Sequence, residues 1–183
     1  MSEARWRAGL REVEAQFRRE LRAEIVSEQR REKVTDKNRC YVFDLDGTLA
    51  NLDHRLHFIK GEVKDWDSFF DACVDDTPIM PVVELFQSVV RDPHLSTVIV
   101  SGRSDYVRDQ TSRWLRAYGI TYDALFMREQ GDHSPDYKCK SRILDRMLVQ
   151  GWRPVLFIDD RKQVVDMWRS RGYVCLQCAD GEF

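Results

Sequence analysis

Two kinds of hydrophobic pattern divide the chain. From residue 3 to about residue 33, Trp6, Leu10, Val13, Phe17, Leu21 and Ile25 recur at intervals of three or four, which lays one apolar stripe along a long amphipathic helix. Arginines and glutamates of both signs fill the other positions, so the opposite face is a solvated one. A lone helix draws most of its stability from tertiary packing, so the stripe calls for docking on its own domain, a second copy or a partner. After the polar break Thr35-Asp36-Lys37-Asn38 the period changes. Cys40-Tyr41-Val42-Phe43 is a short apolar run without alternation, and residues 97–100, 124–127 and 155–158 repeat the pattern, as strands covered on both faces do. Helical spacing separates them over residues 82–90, 106–118, 141–150 and 162–171, and a last run, 173–177, follows Gly172. Alternating strands and helices of this length predict an α/β fold: a Rossmann-like parallel sheet with helices on both faces. The predicted organisation is an N-terminal helical extension over 1–38 and one α/β domain over 39–183.

Composition narrows the class. No apolar run reaches the ~20 residues of a membrane helix, and the charged N-terminus lacks the apolar core of a secretory signal, so a cytoplasmic protein with no membrane partner is expected. The five cysteines, an odd number, fit reduced thiols better than a disulfide framework. Cys175 and Cys178 have no second pair to complete a zinc site and read as strand residues. A net charge of −2 gives no global attraction to nucleic acid, so polyanion binding would need a local patch.

Polar clusters fall where the predicted strands end, and in open parallel sheets ligands bind at those ends. The first run leads into Asp44-Leu45-Asp46-Gly47-Thr48, the second into Ser101-Gly102-Arg103 and the fourth into Asp159-Asp160-Arg161, while Lys138 and Lys140 open the helix before the fourth. Two carboxylates at i and i+2 on a loop turned by Gly47 can face one crevice, one attacking and the other managing protons. Several anionic oxygens in a small site call for a hard divalent cation with oxygen ligands, and Mg²⁺ fits that need. A lone Asp-x-Asp is more often a turn or a cap. Acids closing two strands, a hydroxyl with glycine closing a third and a nearby lysine together point to catalysis.

These segments resemble the haloacid dehalogenase superfamily of phosphatases over about residues 39–183. The resemblance implies that fold, a magnesium cofactor and Asp44 as nucleophile, with Asp46 protonating the leaving oxygen and then activating water. It implies that Ser101, Gly102, Lys140 and Thr48 hold the phosphoryl group. Asp44, Asp46 through its carbonyl, Asp160 and Asp159 would hold the metal, Asp159 through a water. Phe43-Asp44-Leu45-Asp46-Gly47-Thr48-Leu49-Ala50, Arg128-Glu129-Gln130-Gly131-Asp132, Ile158-Asp159-Asp160-Arg161 and Gln163-Val164-Val165-Asp166-Met167-Trp168-Arg169 are similar to the 3′-phosphatase domain of phage polynucleotide kinase. That similarity places Arg55, Arg103 and Asp136 at substrate-binding positions. No Gly-x-x-x-x-Gly-Lys-Ser/Thr loop occurs, so kinase activity is not expected.

The stretch at about 52–78 is long enough for a minimal cap of one or two short helices around Trp66, Phe69 and Phe70, expected to be cap core rather than base-stacking surface. His54 and His57 lack a third ligand and read as loop residues. An open site suits a 3′-phosphate on DNA or RNA ends and equally admits a mononucleotide, for a 5′- or 3′-nucleotidase. A reading of another class, a non-catalytic protein working through its N-terminal helix, leaves the catalytic set unexplained.

Overall fold

The computed structural model describes Gln16, Arg18, Glu20, Arg22 and residues 38–181. The first four are helical and exposed. The expected long helix over 3–33 and its docking or oligomer role otherwise lie outside the described residues. The chain divides into two units, Met1–Lys37 and Asn38–Phe183, and the strand-end clusters all lie in the second.

That unit is built on a five-stranded parallel sheet in the order β5-β4-β1-β6-β7. Its strands are β1 (Arg39–Phe43), β4 (Ser96–Ser104), β5 (Ala124–Arg128), β6 (Arg153–Asp159) and β7 (Val174–Gln177). Successive side chains point to opposite faces, so each inner strand feeds two cores. Val42, Val98, Val100 and Phe157 enter one, with Ile143, Leu144 and Met147 of α4 (Asp136–Val149) and Val164, Val165 and Trp168 of α5 (Lys162–Ser170). Phe43, Ile99 and Ile158 enter the other, with Val83 and Phe86 of α2 (Met80–Val90) and Trp114 and Leu115 of α3 (Arg108–Ala117). Burial on both faces explains why these strands show no alternation.

The chain leaves β1 toward β4 and β5 on one side and returns to β6 and β7 on the other. The strand order therefore reverses at β1, and a crevice opens beyond the carboxyl ends of β1, β4 and β6. Between β1 and α2, a two-stranded antiparallel stem joins β2 (Ala50–Asn51) to β3 (Thr77–Pro78). It closes off a small cap of two short 3₁₀ turns, Asp53–Phe58 and Ala72–Asp75, flanking α1 (Trp66–Asp71). The side chain of Asp65 caps α1, accepting from the Ser68 N–H at 3.0 Å. Leu52, Ile59 and Phe69 form a small apolar core beneath it. Among the described residues no helix is long and apolar enough to cross a membrane.

Trp168 joins core to site: it stacks on Phe157 at 4.1 Å between ring centroids, and its indole N–H donates to Asp159 Oδ2 at 3.3 Å. Truncating a buried aromatic costs about 3–5 kcal/mol. Trp168→Ala is expected to lower stability by that amount in urea denaturation, and Trp168→Phe, which keeps most of the packing, by much less.

Candidate active site

Asp44 follows β1 and is buried, and Asp159 and Asp160 stand at the end of the adjacent β6, equally buried. Ligand oxygens of the three lie within 4.8 Å of one another. Gly47 makes this approach possible: its φ of +84° is open to glycine, and a Cβ there would collide with the Asp160 carboxylate. Lys140 contacts two of the three, its Nζ 2.7 Å from Asp44 Oδ1 and 3.0 Å from Asp159 Oδ2. It also lies 3.3 Å from Asp136 Oδ2, one helical turn back along α4. The Asp44 contact is a close ion pair without hydrogen-bond alignment, so both oxygens of Asp44 lack a hydrogen-bond partner among the described residues.

One ammonium cannot balance three crowded carboxylates. Burial pushes Asp44 well above the usual carboxylate range despite Lys140. Burial and the charge of Asp159 push Asp160 up to about 6, and burial also raises Asp159. A buried excess of anionic oxygens, two of them without a hydrogen bond among the described residues, is the donor set that a hard divalent cation fits. Asp44, Asp159 and Asp160 would hold it.

Asp46 sits in a different field. Arg103 donates to its Oδ1 from Nε at 2.9 Å and from Nη2 at 2.6 Å, and Arg55 Nη2 donates to the same oxygen at 2.5 Å. Both arginines are fully buried, and a second carboxylate, Asp76, balances them. Arg55 grips Asp76 in a fork, Nε to Oδ1 at 2.7 Å and Nη2 to Oδ2 at 2.8 Å, while Arg103 Nη2 donates to Oδ2 at 2.5 Å. Burial alone would raise Asp46, but Arg103 and Arg55 outweigh it and hold the carboxyl well below the usual range. All the arginine bonds fall on Oδ1, so Oδ2 is the oxygen of Asp46 available to the cleft.

The cleft measures about 800 Å³ and runs from Asp44, Asp46 and Lys140 past Gly102 and Asp136 to Trp66, Phe70 and Tyr106. Arg128, at the end of β5, holds its far rim: Nε donates to Gly102 O at 2.7 Å, Nη1 to Ser134 O at 2.7 Å and Nη2 to Asp136 Oδ1 at 3.0 Å. Several expected positions shift. Arg55 and Arg103, expected to grip substrate, do not line the cleft; they stand behind Asp46, held there by its carboxylate and by the buried carboxylate of Asp76. Thr48, expected at the phosphate, is buried behind Asp160, to which its hydroxyl donates at 3.4 Å. Ser101 is also buried, its hydroxyl accepting from the Arg103 N–H at 3.1 Å. Lys138 is exposed near the Tyr137 ring. Of the cap aromatics, Phe69 is core as expected, whereas Trp66 is 43% exposed on the cleft wall. Asp76, Ser104 and Tyr106 are absent from the sequence-derived set. Ser104 and Tyr106 carried a signal, as residues closely following the strand-end cluster Ser101-Gly102-Arg103, whereas Asp76 carried none.

Acidic strand ends around a buried lysine, on a parallel sheet with a small cap, define a phosphatase of the haloacid dehalogenase class. Residues 38–183 match the family model of the polynucleotide kinase PNKP phosphatase domain, and the chain belongs to that family. It is 28% identical to a chain of the Pnkp1/Rnl/Hen1 RNA repair complex, with a TM-score of 0.68 over 80% of this chain and 44% of that one. It thus spans less than half the length of that chain. The fold alone is shared with the haloacid dehalogenase-like hydrolase SP0104 from Streptococcus pneumoniae, at 12% identity and a TM-score of 0.51 over 75% of this chain and 83% of that one. The same holds for L-2-haloacid dehalogenase from Xanthobacter autotrophicus, at 16% identity and a TM-score of 0.52 over 75% and 76% of the two chains.

Removing one partner of a buried ion pair leaves an uncompensated charge and costs about 3–5 kcal/mol. Asp76→Ala strips the shared counter-charge from Arg55 and Arg103, and a loss of that size is expected in urea denaturation. Asp145→Ala, which breaks an exposed pair with Arg171, is expected to cost less than about 1 kcal/mol.

Proposed function

We propose that the protein removes 3′-phosphate from DNA or RNA ends through an aspartyl-phosphate on Asp44. The observation that carries this reading is the state of Asp44: buried at the head of β1, with neither oxygen hydrogen-bonded among the described residues, at the base of an open, aromatic-walled cleft. The likeness to a chain of an RNA repair complex supports a nucleic-acid end as the substrate.

In this mechanism Asp44 forms a bond to phosphorus as the bond from phosphorus to the 3′-oxygen breaks, and the leaving oxygen takes a proton delivered through Asp46. Water then attacks the phosphorus, giving its proton to Asp46 and releasing Asp44 and inorganic phosphate. Arginine contacts confined to Oδ1 fix the ring of positions that Oδ2 can reach, and they favour the ionised carboxylate that the second step uses. Lys140 draws the phosphoryl oxygens toward Asp44, and Gly102 borders the same space. Asp136 orients Lys140 from one turn away. Asp44, Asp160, Asp159 and the Asp46 carbonyl would hold Mg²⁺, which when bound neutralises the crowded phosphate and carboxylate oxygens.

The discriminating assay compares kcat/KM on 3′-phosphorylated DNA and RNA oligonucleotides with that on nucleoside monophosphates, in Mg²⁺. Preference for the oligonucleotides is expected, and preference for monophosphates would identify a nucleotidase instead. Asp44→Asn is expected to lower kcat by about 10³-fold or more, and Asp46→Asn by about 10²–10⁴-fold. With a chiral phosphate, two successive displacements retain configuration at phosphorus; inversion would mean direct attack by water and no aspartyl-phosphate.

The metal has a readout of its own. Saturating Mg²⁺ is expected to raise Tm by about 5 °C or more in the wild type, with little shift in Asp160→Asn. An equal shift in both proteins would place the ion elsewhere.

A further inference from the structure

One polar group in the cleft has no place in this mechanism. Ser104 closes β4 and lines the cleft; it is 6% exposed, and its hydroxyl has no hydrogen-bond partner among the described residues. A buried hydroxyl left unpaired is destabilising, so its place on the cleft wall points to a partner on a bound molecule.

The position of Ser104 indicates that group. Along one continuous segment, Gly102 borders the cleft beside Asp136 and Lys140, Ser104 follows, and Tyr106 begins the aromatic wall. Ser104 follows Gly102 by two residues across the irregularity between Ser101 and Ser104, so along the cleft lining the hydroxyl comes between Gly102 at the anion-binding end and Tyr106 at the aromatic end. The wall beyond it is fixed in place. The Tyr106 hydroxyl donates to Asp67 O at 3.1 Å, its ring meets Phe70 edge-on at 6.2 Å, and Phe70 lies nearly parallel to Trp66 at 6.0 Å. Lys64 approaches the Trp66 ring at 5.5 Å, adding a cation at the open end. Anion site, hydroxyl and aromatic surface thus follow one another in the order phosphate, sugar, base.

We propose that Ser104 is a specificity-determining residue: it hydrogen-bonds the sugar of the nucleotide that carries the scissile phosphate, while that nucleotide's base lies against the wall of Trp66, Phe70 and Tyr106. This inference rests on the nucleic-acid reading given above and adds the subsite that reads the nucleotide. A hydrogen bond made by the sugar is a contact that a simple aryl phosphate lacks.

The test is a ratio: kcat/KM on a 3′-phosphorylated oligonucleotide divided by kcat/KM on p-nitrophenyl phosphate. Loss of one hydrogen bond with a buried partner left unpaired corresponds to about tenfold. Ser104→Ala is expected to lower the ratio by about that factor, and Ser104→Thr, which keeps a hydroxyl, to restore most of it. An unchanged ratio in Ser104→Ala would overturn the assignment, whether both substrates lost activity together or neither did. The underlying reading fails separately and visibly, if the wild type itself hydrolyses p-nitrophenyl phosphate but not the oligonucleotide.

Discussion

The Lys140 ammonium is the charge on which the site depends. It is 1% exposed, and it is reached by Asp44, Asp159 and Asp136 from three different elements. Desolvating a lysine ordinarily drives it toward the neutral form. Here the surrounding carboxylates outweigh burial and raise it well above its ordinary range. The reverse also holds, because without that ammonium the ends of β1 and β6 would face each other with buried, unbalanced acids. Lys140 satisfies the site only in part, since its close contacts are with Asp44, Asp136 and Asp159 and one positive charge faces several carboxylates. The remaining negative charge is what the proposed Mg²⁺ would offset.

Asp44 and Asp46 are two residues apart in sequence and stand in opposite fields. Burial dominates at Asp44, while a pair of arginines dominates at Asp46. The separation is built from non-local pieces: Arg55 comes from the cap, Arg103 from β4 and Asp76 from the residue before β3. A single loop could not assign two neighbouring carboxylates such different tasks. The sheet supplies one environment and the cap stem the other.

This division explains what was legible in the sequence. The strands were, because Val42 and Phe43 enter different cores and a run without alternation records that. So were the acids, which follow directly on those runs. The extent of β4 was not, since Ser101-Gly102-Arg103 lies within the strand around an irregularity in its pairing with β5 and does not follow it. Nor was the start of α4 at Asp136: its first turn carries Asp136 and Lys140 toward the site, so it lacks the apolar spacing that marks residues from 141 on. Asp76 could not be read at all. Its partners Arg55 and Arg103 lie 21 and 27 positions away, beyond any local pattern. Arg55 and Arg103 stand beside Asp46, but whether an arginine faces ligand or protein depends on carboxylates that only the fold assembles.

The same network bears on how substrate enters. Small caps elsewhere can act as lids, but this one is tied to the floor of the cleft. Arg55 lies in the cap, donates to Phe69 O at 3.2 Å within it, and stacks its guanidinium 4.3 Å from the Phe69 ring. The same guanidinium holds Asp46 and Asp76. Trp114 on α3 adds a further tether, its indole N–H donating to Asp76 O at 2.7 Å. Swinging the cap away would separate buried, oppositely charged groups, at a cost on the order of several kcal/mol. A hinge of that kind would also withdraw one of the two arginines that hold Oδ1 of Asp46, leaving Arg103 alone on it. The cap therefore acts as a fixed wall, and selection among substrates falls to the shape and the polar groups of a cleft that is already open.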